Sequence, residues 1–269
     1  LGYVIFEMVN AVLLGRKAYT EYSKYFLTQK ILMLIFGIGF YYLIGFDGVL
    51  YGLVLSFVPY IVLIFREFKE TKIDFSLLKS RKGFIANNYA MSISGRASST
   101  IDKLVIAPLL GFALLGNYSL ALQLFVILLI VPMIIYKYLL PQDASGQSNR
   151  KLRQVTIILS VGIAVLGIGL FPYIIPNFFP KFIDAIDAIQ IMSIAIIPAT
   201  ITLLYTSKLL GMEKSKFVLI TEIISTSALI VGFIILGPIF GVIGLASVFV
   251  LSVTLEATLL FCMTKIKKF

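Results

Sequence analysis

The 269-residue sequence has no histidine and a single cysteine, Cys262. An intrachain disulfide is therefore impossible, and the His/Cys spacings of the common zinc sites are absent, so neither a metal nor another cofactor is expected. Charge is scarce, at 13% of residues, and acids are outnumbered, with 13 Asp and Glu against 23 Lys and Arg. A net charge of +10 raises nucleic acid as a partner. The basic residues are spread between apolar runs instead of gathered in one module, which argues against it. No polar stretch is long enough for a separate soluble domain of about 100 residues. The chain also lacks an opening Met or a basic segment before a cleavage site. Beginning at Leu1 inside an apolar run, it reads as N-terminally incomplete.

What fills the sequence is apolar: 59% of residues, with a mean hydropathy of +1.02, against about 45–50% in soluble domains. We expect an all-α, polytopic integral membrane protein. In chain order, residues 1–14 are the tail of a spanning helix. Residues 27–45 and 48–65 form a hairpin through the turn-like Gly45-Phe46-Asp47-Gly48. Residues 66–82 are the most charged stretch and mark a boundary. Spans follow at 84–110, 117–140, 155–175 and 188–210, and a last hairpin, 217–236 and 239–263, turns at Gly237-Pro238. Pro141 opens a polar loop over 141–153. The count is one partial plus eight complete spans. Pro132 and Pro198 fall inside spans, where each removes a backbone donor and is a candidate hinge.

The basic residues test this count. All but three of the 23 Lys and Arg lie in the connections 16–30, 66–82, 137–153, 208–216 and 265–268, which alternate with poorly charged turns. Cytoplasmic loops are enriched in Lys and Arg, so these five segments and the C-terminus are expected in the cytoplasm, in a multi-pass protein of the cell membrane. Of the three exceptions, Lys181 lies in an outer turn, while Arg96 and Lys103 lie inside a span.

That span is the conspicuous one. Stepped at about 100° per residue, Asn88, Tyr89, Ser92, Arg96, Ser99, Thr100 and Lys103 share one face, opposite Ala90, Ala97, Ile101 and Leu104. Intramembrane charge is costly and faces a wet cavity or a partner. Arg96 is expected either to grip an anionic group with its guanidinium fork or to pair with Glu222 or Glu256 in the last two spans. Lys103 either extends the cationic track or snorkels to the interface. Asn88, Ser92 and Ser99 either line a cavity or fasten helices together. Glu222 and Glu256 are candidate coupling-ion or structural acids, as is Asp102. Tyr3, Tyr60, Tyr118 and Tyr173 read as interface anchors.

The run Ile101-Asp102-Lys103-Leu104-Val105-Ile106, then Leu110-Gly111, Leu115-Gly116-Asn117-Tyr118 and Ala121, resembles the start of the C-terminal half of polysaccharide (O-antigen-type) lipid-linked oligosaccharide flippases. Those belong to the superfamily that also holds drug/cation antiporters and the lipid II flippase. Pro132, Pro141, Gly211, Gly241 and Gly244 continue the likeness over essentially the whole chain. The resemblance implies two six-helix bundles around a central cavity, with residues 1–65 ending the first bundle, 66–83 a cytoplasmic linker and 84–269 the second bundle. It implies a non-enzymatic exporter of polyprenyl-diphosphate-linked oligosaccharide, with a cationic cavity for the diphosphate and H⁺ or Na⁺ as the coupling ion. Asp102 matches the family's recurrent acid. Two alternatives stand beside it. A cation-coupled drug exporter of the same fold would favour acidic cavity residues, and an integral-membrane glycosyltransferase or polymerase would need a catalytic acid in a larger outer loop than 176–187.

Overall fold

The computed structural model describes residues 2–61, 79, 81–147 and 149–266, without the side chains of 94–99, 101–102 and 266. Among these residues the chain is helical, with no strand. It divides into two compact units, Leu1–Leu77 and Leu78–Phe269. The linker expected over 66–83 lies almost wholly outside the described residues.

The first unit holds α1 (Gly2–Gly15), α2 (Tyr19–Ile44) and α3 (Phe46–Leu55). α2 and α3 fold back on each other about Gly45, whose φ of 79° and ψ of −149° suit glycine alone. The absent side chains of Gly48 and Gly52 let the arms touch, because a Cβ at either would strike backbone at Phe40 or at Phe36 and Gly37. Phe6, Phe57 and Tyr60 make a small aromatic core with Tyr25 and Phe26 against it. Tyr60 Oη donates to the Tyr25 carbonyl at 2.6 Å, and Gln29 Nε2 to Ser56 Oγ at 3.1 Å.

The second unit comprises α4 (Lys82–Leu128), α5 (Ile130–Ala144), α6 (Arg150–Phe178), a 3₁₀ turn (Pro180–Ala185), α7 (Ile186–Ile194), α8 (Ile196–Gly211) and α9 (Ser215–Ile266). At about 1.5 Å per residue, α4 and α9 would each exceed twice the ~30 Å hydrocarbon layer if straight. Neither is straight. Gly111 (φ 85°, ψ 166°) breaks α4 and Gly241 (φ 58°, ψ −136°) breaks α9, in the same glycine-only region as Gly45. The arms of α9 run back along one another. Gly232 lies against Val248, Gly237 against Leu245 and Gly244 against the Leu236 backbone.

Among the described residues, five helices are long and apolar enough to cross a membrane, and Gly2–Gly15 and Phe46–Ile61 are shorter apolar ones. Once the glycine elbows divide the long helices, the described residues hold the expected partial span and eight others. The boundaries move, however. The last hairpin turns at Gly241 and not at Gly237-Pro238: Gly237 and Pro238 keep helical backbone in the last turns of the first arm, and Gly241 takes the positive φ that reverses the chain. The polar loop expected over 141–153 shrinks, because α5 carries Pro141 in its last turn and α6 begins at Arg150.

Pro132 and Pro198 each stand three residues after a helix break, at Leu129 and Ala195. Proline has no N–H for the carbonyl four residues back, and its ring crowds that turn. The main core gathers around α7, where Ala188, Ile189 and Met192 meet Ile106, Tyr118, Phe233 and Leu245. Small residues let these helices approach in a lipid-like surround that gives apolar helices no solvent drive to associate. Tyr118 and Tyr60 are each only 1% exposed, so both are core residues and not interface anchors. Their rings pack edge-on against Phe233 and Phe6. Tyr3 and Tyr173 are exposed, as expected.

At one end of this unit, Arg153 Nη2 donates to Asp143 at 2.6 and 2.5 Å, and Nη1 to the Leu204 carbonyl at 2.6 Å. Ser207 Oγ also donates to Asp143. Gly211 permits this, since a Cβ there would come within 2.7 Å of the Asp143 backbone.

Candidate functional site

The polar face lies on the first arm of α4, residues 82–110, which is continuously helical. Two of its members are tied to their own helix. Asn88, half-buried, donates from Nδ2 to the Phe84 carbonyl at 2.8 Å, and exposed Ser92 donates to the Asn88 carbonyl at 3.0 Å. Such bonding to the preceding turn satisfies the donor without a partner helix. Lys103 is exposed. The side chains of Arg96, Ser99 and Asp102 lie outside the described residues, and with them the expected Arg96–carboxylate pair.

The contacts of the rest of this helix show what it runs beside. Met91 packs against the cluster of Leu209, Val218 and Leu260. Further along, Leu110 lies against Gly237. The first arm of α4 therefore runs beside the first arm of α9, which carries Glu222. Glu222 is one turn beyond Val218, and Glu256 one turn before Leu260 on the returning arm. The hairpin about Gly241 sets Ser225 level with Glu256 on the returning arm, and Glu222 one turn away from that level.

Ser225 joins the two arms. It is 5% exposed, and its hydroxyl lies 3.1 Å from the Glu222 carbonyl and 3.3 Å from Glu256 Oε2. The two carboxylates are close enough for their charges to interact. Two acids and a hydroxyl held together inside apolar helices can exchange a proton or accept a small cation. The arrangement thus brings together Glu222 and Glu256 from the expected set and adds Ser225. A serine among many in-span serines carries little signal; its position three residues after an acid is the one hint.

A scan against protein-family models finds no match, and neither does a search of curated proteins. Among solved structures the chain is similar to a point mutant of the Vibrio cholerae MATE transporter VcmN, with a TM-score of 0.76 at 13% identity. The likeness covers 98% of this chain and 66% of that one, so the chain spans just under two thirds of the transporter's length. The class defined by fold is an all-α, multi-pass membrane protein. More particularly, it has the fold of a MATE transporter over that part of its length.

Proposed function

We propose that the chain is the C-terminal part of a secondary transporter that moves a polyprenyl-diphosphate-linked oligosaccharide across the cell membrane by alternating access. Residues 84–269 form its second six-helix bundle, 1–65 end the first, and 66–83 link them in the cytoplasm, where the C-terminus also lies. Arg96 and Lys103 hold the diphosphate, with Asn88, Ser92 and Ser99 lining the path. The observation that carries this reading is that the helix bearing the polar sequence face packs, through Met91 and Leu110, beside the hairpin that carries Glu222 and Glu256. A cationic face there offers an anionic head group the charge-assisted contacts that a low dielectric strengthens. The pairing of Glu222 and Glu256 supports a proton or Na⁺ as coupling ion. It equally favours a second reading, a cation-coupled drug exporter.

The two readings part in one experiment. The full-length protein is expressed both in a flippase-deficient strain, scored for surface glycan, and in a drug-sensitive strain, scored for resistance. On the leading reading the glycan returns, Arg96→Ala abolishes it at unchanged membrane abundance, and Arg96→Lys retains part of it, since charge survives without the fork. Drug resistance without glycan rescue overturns that reading in favour of the exporter.

A further inference from the structure

Where α5 ends, α6 begins and α8 ends, the second unit forms an open-mouthed cavity of about 400 Å³ that the transport reading does not use. Its lining includes Asp143, Gln147, Arg150, Arg153, Tyr205 and Lys208. Its charges are of two kinds. Arg153 is committed, with one guanidinium nitrogen on Asp143 and the other on the Leu204 carbonyl, and this pair is largely shielded, at 16% and 6% side-chain exposure. Asp143 is thereby neutralised and faced by Ser207 as well. Arg150 and Lys208 are different. Neither has an ion-pair partner among the described residues, unlike Arg153 and Arg81, which pair with Asp143 and Glu213. The cavity therefore keeps two uncompensated cations beside a rigid, internally balanced pair.

We propose that this cavity is a binding site for a phosphate-bearing anion, either free in water or the head group of a lipid. Basic pockets between spanning helices at the cationic membrane face hold such head groups, and a guanidinium and an ammonium converging on one cavity suit tetrahedral oxyanions. The volume accommodates a phosphate or pyrophosphate with its waters. Tyr205, held edge-on against Phe261, and Gln147 supply neutral polar atoms at the wall. None of the lining residues named for it belongs to α4, and its occupation does not depend on what the protein transports.

The test uses the purified full-length protein in lipid discs. In one arm, discs of phosphatidylcholine alone are titrated with inorganic pyrophosphate. In the other, discs of phosphatidylcholine with phosphatidylglycerol are read by native mass spectrometry for retained anionic lipid. Saturable binding is expected in at least one arm, pyrophosphate marking a free anion and phosphatidylglycerol a head group. Losing two charge-assisted contacts in Arg150→Gln/Lys208→Gln weakens it roughly tenfold or more. Arg150→Lys/Lys208→Arg keeps the charges and retains binding, which separates loss of the site from loss of the fold. Lys181→Gln, a cation outside the cavity, leaves it unchanged. Absence of saturable binding in both arms, or binding that survives the Gln double substitution, overturns the proposal.

Discussion

The hairpin that turns at Gly45 and the one that turns at Gly241 start from the same joint, Leu13-Leu14-Gly15 in one and Leu209-Leu210-Gly211 in the other, with equal separation along the chain between joint and elbow. Each joint closes alike. Lys17 and Glu213 both adopt φ 57°, and the following amides, of Ala18 and Lys214, return to the carbonyls of Leu13 and Leu209. Such a left-handed residue normally favours glycine or asparagine. What differs is what the frame holds. The first hairpin is fastened by neutral and aromatic groups, Tyr60 on Tyr25 and Gln29 on Ser56. The second is fastened by Ser225, one turn from Glu222, donating across the turn to the Glu256 carboxylate. Neutral bonds of the first kind stabilise a fold at no electrostatic cost, whereas in-span carboxylates are expensive and are kept where they work. One frame thus serves structure in the first unit and, on the reading proposed above, chemistry in the second.

The joints differ in their surroundings, and breaking them tests this. Asp143 packs on the second joint and is paired with Arg153. Asp143→Ala strands that shielded guanidinium and is expected to cost roughly 3–5 kcal/mol, seen as a marked fall in thermal stability and membrane abundance. Gly211→Ala pushes against the Asp143 backbone and is expected to cost about 1–3 kcal/mol. A Cβ at Gly15 meets nothing within 4 Å, so Gly15→Ala is expected to stay within about 0.5 kcal/mol of the parent. Equal losses at the two glycines would dissolve the contrast. Tyr60→Phe falls between the two glycine changes: it removes one hydroxyl donor from the first hairpin and costs about 0.5–1.5 kcal/mol in the same unfolding measurement, leaving transport by the full-length protein intact.

Much of this was legible in the sequence because lipid imposes a simple code. Apolar length, glycine and the placement of Lys and Arg suffice for the all-α architecture and the number of spans. Turn signals located Gly45, but proline misled at 237–238, since both residues of a Gly-Pro pair fit a helix end and the decisive φ > 0 lies at Gly241. Tyr60 and Tyr118 were read as anchors because sequence position at a span end does not reveal which way a ring points, and both point into cores. The Asp143–Arg153 pair is not legible because both residues fall where the sequence reads as a polar loop; an acid inside the basic connection 137–153 is the available signal. Glu222 and Glu256 were visible singly. Their approach across the hairpin depends on where it turns, which the misplaced elbow obscured.

The central claim is that the second hairpin's acids act in transport while the first hairpin's matched groups only hold the fold. The most direct measurement is ion-driven transport by the reconstituted full-length protein carrying Glu256→Gln, an isosteric change that keeps a hydrogen-bonding side chain beside Ser225 but removes the titratable group. Normal abundance and thermal stability are expected, with gradient-driven transport lost and Tyr60→Phe transport at the parent level. Undiminished gradient-driven transport by Glu256→Gln would contradict the claim.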